Sequence, residues 1–332
     1  MKKRFLAIAG ASAVALTCFV GASCKTKEKV VIYTSSEDYC MEYMQECLDE
    51  KFPDYDIRIE YMSTSNIAAK IIAEGSGSDC DIVFAEEYGY IEKMAEADTL
   101  AKLSDYYDYS VYMADTLESH AKDYLLPELR VGGGIFVNTK VLKDKGLDKP
   151  TSYNDLLDAK YKGLVSMPSP KSSGTGYMFY LALVNEWGES TAIEYFDSLT
   201  SNILSYTSSG SGPVNALVGR EVAVGLGMIS QVAEKISGGN DELEILFFDE
   251  GAPFNLYGNS IVKGKDKRES VKAVMDYLYS DFTDAVCAKY YPEPVLKDKV
   301  YNVPAFPKNI TYSDMSNNTL AKKEDLLAKW KH

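Results

Sequence analysis

Val30-Val31-Ile32-Tyr33-Thr34-Ser35-Ser36 sets four apolar residues in a row and then stops them with small hydroxyl-bearing ones. An apolar run this short, with such an exit, reads as a strand buried on both faces of a sheet. Met41, Met44 and Leu48 follow at helical spacing up to Phe52, and Ile57, Ile59 and Tyr61 then alternate as in a half-buried strand. Ser63-Thr64-Ser65 is a capping string for a helix carrying Ile67, Ile71 and Ile72. Cys80–Ala85 (CDIVFA) is a further buried strand that ends at Glu86-Glu87-Tyr88, and Ile91, Met94 and Ala95 mark the next helix. Strand–helix units of this length predict an α/β fold with an open, mostly parallel sheet and right-handed crossovers.

Beyond this region the pattern changes. Leu129–Asn138 (LRVGGGIFVN) is extended and Gly-rich, and Gly132-Gly133-Gly134 reads as a flexible link between two lobes. Helices are expected at 139–145, 176–187 and 267–279, and from Pro213 onward. Strands are expected at 164–167, 203–207, 222–228, 243–248 and 259–263. No repeat of fixed period is present, which excludes solenoids and propellers.

The 332 residues suffice for two lobes, each with its own core. A hydrophobic share of 46% excludes intrinsic disorder, and a net charge of −14 argues against nucleic-acid binding, which needs a basic footprint. Two histidines in the whole chain leave little for His-based catalysis or His-rich metal sites. The motifs of phosphate loops, nucleophile elbows and HExxH metal sites are missing. No cofactor and no metal are expected, and composition points to binding rather than to an enzyme.

Lys2, Lys3 and Arg4 precede an apolar stretch from Phe5 to Val20 and the small residues Gly21-Ala22-Ser23. This is the pattern of an export signal over residues 1–23. Cys24, placed directly after the small residues, resembles the cysteine of a bacterial lipobox, although Gly21 stands where Leu is usual. Lipidation at Cys24 would leave 24–29 as a tether and 32 basic against 49 acidic residues in the mature chain. Such a charge keeps the body of the protein off anionic membranes, so that the anchor alone would hold it there. Cys40, Cys47, Cys80 and Cys287 remain, in a compartment that permits disulfides. If 38–50 is helical, Cys40 and Cys47 stand about 10 Å apart along the axis, beyond bridging reach; the other pairings stay open.

In open α/β sheets ligands bind beyond the carboxyl ends of strands, and four groups of residues lie at such ends. Pro170-Lys171-Ser172-Ser173-Gly174-Thr175-Gly176 and Thr207-Ser208-Ser209-Gly210-Ser211-Gly212-Pro213 each follow a strand and open a helix. Small residues let backbone N–H groups approach an oxyanion, hydroxyls add donors, and a helix N-terminus adds partial positive charge. Plain helix capping is the bland reading of one such string; two of them in one lobe favour a grip on a phosphate or phosphonate. Glu37-Asp38-Tyr39 and Glu86-Glu87-Tyr88 follow the first and third strands, where acids suit helix N-termini or could meet the cationic part of a zwitterion. Tyr39 or Tyr88 could stack on that part or present a phenol. The 25 tyrosines otherwise read as amphipathic fillers.

VVIYTSSEDY, CDIVFAEEY, SPKSSGTGY, YTSSGSGPVNAL, REVAVGLGM and NLYGNSIVKG together resemble the periplasmic solute-binding lipoproteins of bacterial ABC transporters. The branch in question includes ferric-ion, thiamine, 2-aminoethylphosphonate and hexose-phosphate binders, and the resemblance spans residues 30–320. It implies a two-lobed α/β fold, each lobe a mostly parallel sheet flanked by helices, joined by crossover strands near 130–137 and 254–262. The lobes would be 30–131 with about 259–332, whose C-terminal helices could touch both lobes, and 132–258. It also implies an exported, membrane-anchored monomer that closes on a small anionic or zwitterionic solute and delivers it to a permease. Where ferric binders carry adjacent tyrosines, this chain reads Met228-Ile229-Ser230-Gln231. Ferric iron wants hard anionic oxygens, so an organic phosphate or phosphonate is the preferred solute; iron capture through Tyr39, Tyr88 and carboxylates is the alternative. A secreted phosphate-ester hydrolase is a more distant one. The expected anion contacts are Ser172, Ser173, Gly174, Thr175, Ser209, Gly210, Ser211 and Asn215; Ser36, Glu37, Tyr39, Glu86, Glu87 and Tyr88 would face the rest of the solute.

Overall fold

The computed structural model describes residues 27–293 and 295–332; the export segment and Cys24 lie outside them. The chain opens with β1 (Glu28–Thr34), α1 (Asp38–Lys51), β2 (Tyr55–Tyr61), α2 (Thr64–Glu74), β3 (Ile82–Glu87) and α3 (Tyr88–Glu96). A loop with short 3-10 turns leads into β4 (Leu126–Asn138), α4 (Thr139–Lys145), β5 (Val165–Pro168), α5 (Gly174–Trp187) and α6 (Glu189–Leu199). Then come β6 (Ile203–Thr207), α7 (Gly212–Val218), β7 (Val224–Met228), α8 (Ile229–Ser237), β8 (Leu243–Leu246) and β9 (Phe254–Ile261). The tail carries α9 (Glu269–Tyr277), α10 (Thr283–Lys289) and α11 (Leu320–Lys329). Among the described residues no helix is long and apolar enough to cross a membrane.

Two parallel blocks are joined by antiparallel strands. β1 pairs in parallel with β2 and β3, and β5 pairs in parallel with β6 and β7. Between them β9 runs antiparallel to β3 and to the first half of β4, while the second half of β4 pairs antiparallel with β7 and β8. β4 thus belongs to both halves of the molecule, and its 13 residues span about 44 Å.

The apolar run in β1 is continuous because the strand is covered on both faces. Val30 and Ile32 lie in one core with Met44, Leu48, Val274 and Phe282; Val31 and Tyr33 lie in another with Ile67, Ile71, Ile91 and Met94. Side chains alternate across a strand, so packing helices on both faces requires apolar residues at every position. The second lobe repeats the arrangement. Its main core gathers Tyr153, Met167, Tyr177, Phe179, Leu183 and Phe196, and Phe136, Val214, Leu217, Ile229 and Val232 fill the other face.

One expectation about the fold needs correction. Gly132-Gly133-Gly134 is no flexible link: it is buried inside β4, and the Gly133 N–H donates to the Pro253 carbonyl at 2.7 Å. A Cβ on Gly133 would stand 2.6 Å from Met178 Cε and 2.9 Å from Phe179 Cζ, so the glycine permits close approach of α5. The C-terminal helices divide between the lobes: α9 and α10 pack on the first, whereas Leu326 of α11 and Trp330 directly after it enter the core of the second. The permitted disulfides are not formed, since Cys40, Cys47, Cys80 and Cys287 are all free thiols.

A buried polar network ties the crossover strands together. Glu128 of β4 accepts hydrogen bonds at 2.6 Å on one carboxylate oxygen from both Asn259 Nδ2 and Thr283 Oγ1. Asn259 Oδ1 in turn accepts the Ala85 N–H at 2.8 Å. Ala85 sits at a β-bulge in β3 with φ of 49°, a left-handed conformation that costs a non-glycine residue energy and needs outside support. Burial pushes the Glu128 carboxyl up to about 8, with the two hydrogen bonds opposing that rise. The raised value means that the folded protein holds a proton which the unfolded chain releases near the ordinary carboxylate range. Stability from this group is therefore lost as pH climbs from about 4.5 to about 8. Glu128→Gln removes that dependence: in urea titrations the variant gains on the parent by a few kcal/mol between pH 5 and pH 8, and parallel curves would refute the assignment.

Candidate functional site

One cleft lies between the lobes at the carboxyl ends of the parallel strands. The first lobe contributes Ser35, Ser36, Glu37, Tyr61, Ser63, Thr64, Ala85, Tyr257 and Tyr291, with Leu129 and Val131 of β4 at the back. The second contributes Ser172, Ser173, Gly174, Thr175, Ser208, Ser209, Gly210 and Met228. The two Ser–Gly strings thus meet: a Cβ on Gly210 would stand 2.6 Å from Thr175 Oγ1. The enclosed space is about 30 Å³, roughly room for one water molecule. Anything larger requires the lobes to move apart.

Three helices point their first turns into this cleft. The N-cap residues of α1, α2 and α5 are Glu37, Ser63 and Ser173, and none of them makes a side-chain capping bond. The first N–H groups of a helix have no partner within it, so an absent cap leaves donors and positive dipole ends directed at the cleft. Hydroxyls add to this. Ser63 Oγ and Ser172 Oγ are buried without a hydrogen-bond partner in the protein, a costly arrangement unless another group meets them. Ser209 Oγ and Ser211 Oγ lie 3.1 Å apart.

Contacts across the cleft hold the lobes together. Thr64 Oγ1 and Ser65 Oγ donate to the Ser172 carbonyl at 3.4 and 3.3 Å, and Gly174 N–H donates to Thr64 Oγ1 at 3.3 Å. Tyr90 Oη donates to the Lys171 carbonyl at 3.4 Å. On the hinge strand β9, Asn255 Nδ2 donates to the Gly174 carbonyl at 2.9 Å. The glycines let α5 settle tightly: Gly176 lies so close to the loop after β5 that a Cβ there would stand 2.7 Å from the Ser169 carbonyl carbon.

Among the described residues no Lys, Arg or His lines the cleft. Lys171 is exposed, and the two histidines, both exposed, lie outside the lining. Its one carboxylate is Glu37, whose Oε2 accepts a hydrogen bond from Tyr291 Oη at 2.9 Å. Burial raises the Glu37 carboxyl above its ordinary range, against the opposing effect of hydrogen bonds. A carboxyl of this kind can accept from, or when protonated donate to, the hydroxyls of a solute.

The remaining residues singled out in the sequence divide. Ser36, Glu37, Ser172, Ser173, Gly174, Thr175, Ser209 and Gly210 line the cleft. Ser211 does not: its carbonyl accepts from Gln231 Nε2, and the same amide donates to Asn215 Oδ1 on the exposed face of α7. Tyr39 lies beside the cleft with its ring 4.7 Å from that of Tyr290 and its hydroxyl 3.5 Å from Tyr291 Oη. Tyr88 turns away, donating from Oη to the Thr116 carbonyl at 2.8 Å. Glu86 and Glu87 are wholly buried behind the cleft. Burial and the neighbouring Glu87 charge push the Glu86 carboxyl well up, and Glu87 forms an ion pair with Lys323.

Sequence reasoning missed Tyr61, Ser63, Thr64, Tyr257 and Tyr291. The strand-end rule reaches Tyr61, which ends β2, and Ser63 and Thr64, which follow it, but Tyr61 was read only as a strand position and the hydroxyl string only as a cap for α2. Tyr257 and Tyr291 come from the hinge strand and the tail, and no local pattern marks them.

Comparison with known proteins places this geometry. The model of the bacterial extracellular solute-binding protein family matches residues 84–323. An uncharacterised protein of Haemophilus influenzae is 28% identical over 271 residues, covering 79% of this chain and 75% of that protein. The periplasmic binding protein AfuA from Actinobacillus pleuropneumoniae, solved with exogenous fructose-6-phosphate bound, superposes with a TM-score of 0.82 at 26% identity, covering 92% of this chain and 98% of that one. The apo ferric ion-binding protein A of Pasteurella haemolytica superposes at 0.68 with 18% identity, covering 91% and 96%. The match over most of the chain, on a two-lobed α/β frame with a cleft at the strand ends, makes this protein a member of the bacterial extracellular solute-binding family, the substrate-binding subunits of ABC importers.

Proposed function

We propose that this receptor captures a small organic solute carrying a phosphate or phosphonate group, a sugar phosphate foremost, and holds it by closure of the two lobes. The observation that carries the reading is the meeting of three uncapped helix N-termini, α1, α2 and α5, with the unpartnered hydroxyls of Ser63 and Ser172. Each N-terminus attracts an anion by about 0.3–1 kcal/mol, more when partly buried. Neutral donors suffice, as in other helix-terminus anion sites. Glu37 with Tyr291, on the opposite side of the site from the Ser–Gly strings, would meet the hydroxyl- or amine-bearing end. The solved relative with fructose-6-phosphate bound supports the sugar-phosphate choice. Ferric capture is less well supported: Met228-Ile229-Ser230-Gln231 stands where ferric binders carry adjacent tyrosines, and burial pushes the phenols that do line the cleft, Tyr61, Tyr257 and Tyr291, up and away from phenolate.

In this reading the solute bridges the lobes and stabilises the closed state, which the permease recognises. The signal residues 1–23 direct export, and a lipid on Cys24 tethers the receptor as a monomer to the outer face of the cell membrane.

Calorimetric titration tests the solute class, with fructose 6-phosphate, 2-aminoethylphosphonate, thiamine phosphate, inorganic phosphate and ferric ion as probes. An organic phosphate or phosphonate binds, and at 100-fold excess over its Kd stabilises the fold by about 2.7 kcal/mol. Ser63→Ala and Ser172→Ala each weaken that binding about tenfold, the value of one hydrogen bond to a charged group. Binding of ferric ion with a visible phenolate band, and of none of the phosphates, would overturn the proposal. For the anchor, the protein expressed in a bacterial host enters the detergent phase on phase partition and Cys24→Ala moves to the aqueous phase; equal partition of the two would exclude the lipid.

A further inference from the structure

Helix α11 is gripped by both lobes at once. On one side Trp330, 4% exposed, meets Tyr180, Phe196 and Tyr206 of the second lobe with ring centroids 5.1–5.4 Å apart. Lys322 and Lys329 reach Glu189 of α6 at 2.9 and 2.6 Å. On the other side Lys323 enters the first lobe and pairs with Glu87 at the end of β3. Its ammonium stands 3.9 Å from the Tyr90 ring centroid and 4.6 Å from that of Tyr177. The side chains of Lys323 and Glu87 are 1% and 0% exposed.

The acids it meets are short of partners. Glu86 Oε2 and Glu87 Oε1 are buried with no hydrogen bond, and the one ammonium beside these adjacent carboxyl groups pairs with Glu87. Glu87 also touches the anion-facing helix, since a Cβ on Gly174 would stand 3.1 Å from Glu87 Cγ. The two grips on α11 differ in kind. The aromatic side buries a large apolar surface, whereas the side facing α3 consists of Lys323 and the exposed pair Lys93–Glu324. Separation of the lobes would break the second and keep the first.

We infer that Lys323 is a positioning residue of the closed receptor: α11 travels with the second lobe, and its ammonium, beside Tyr177 of that lobe, meets Glu87 and Tyr90 of the first only on closure. There it braces Gly174 and the first turn of α5 over the cleft. The inference rests on closure by hinge motion, and not on which solute is captured. Removing one partner of a buried ion pair leaves an uncompensated charge, so loss of Lys323 disfavours closing.

X-ray scattering and lysine acetylation on the purified protein test it without any solute. Lys323→Met enlarges the radius of gyration, Lys323→Arg restores it, and Glu87→Gln combined with Lys323→Met lies nearer the parent. A folded Lys323→Met with the parental radius overturns the inference. Should that variant fail to fold, Thr64→Trp supplies the second arm, since a bulky side chain there wedges the lobes apart at Gly174. Acetylation at Lys323 then rises about tenfold or more with exposure of the ammonium. Protection unchanged in a variant of enlarged radius would show the pair to lie within one rigid body, and would overturn the inference too. Titration with fructose 6-phosphate as a separate measurement reads the proposed solute class, so that failure there leaves the scattering comparison decisive.

Discussion

The strand shared by two sheets constrains everything else in this molecule. β4 pairs with β9 along its first half and with β7 and β8 along its second, so each lobe hangs its parallel block on one end of the same backbone. A backbone N–H or C=O buried here has to be paired, and β9 alone runs alongside β4 where the lobes join. The joint is therefore narrow and hydrogen-bonded, which permits rotation between the lobes while preserving the core of each. Gly133 contributes by letting α5 approach within contact of the strand, and Glu128 by holding Asn259 and the strained Ala85 from beneath.

Placement of the cleft follows from that joint. Parallel strands direct their carboxyl ends, and the helix N-termini that follow, to one side of each sheet. Joined through antiparallel β9 and β4, the two sides face each other. Donors accumulate there because of topology rather than because any one segment is basic. In the proposed reading, three helix starts and a set of serine hydroxyls would do what a cluster of arginines does elsewhere, with less desolvation to overcome on closing. An acidic protein can then hold an anion, because its cleft is lined by neutral donors around Glu37.

Behind the cleft the polar chemistry is of a different kind. Glu86 and Glu87, adjacent at the end of β3, and Lys323, more than 230 residues further on, are buried ionisable groups outside the cleft lining. In the closure proposed above the ammonium and its acids lose water together, which makes that step electrostatic as well as a matter of packing. The tail beyond α10 runs back across the joint and fastens to the second lobe by Trp330.

Much of this was legible in one dimension. The strand–helix alternation from Val30 to Ala95, the two Ser–Gly strings and the small-residue exit before Cys24 are local patterns, and local patterns report backbone conformation and burial directly. That each Ser–Gly string follows a strand and opens a helix was likewise readable, because turn chemistry is specified by neighbours in sequence. Three-dimensional packing decided the rest. Ser63 is the N-cap residue of α2, as its string predicts, but its hydroxyl makes no capping bond, and residue type alone does not say which way a hydroxyl turns. Tyr88 and Tyr291 are indistinguishable by pattern, yet one turns away to the Thr116 carbonyl and the other bonds Glu37 across more than 250 residues. The glycine triplet was mistaken for a flexible link because a missing Cβ can serve freedom or close packing, and only the approach of Met178 and Phe179 discriminates. Sequence alone determined the class of fold and the position of the two Ser–Gly strings at strand ends; tertiary structure alone decided which donors converge, because convergence depends on distances between elements that no local spacing encodes.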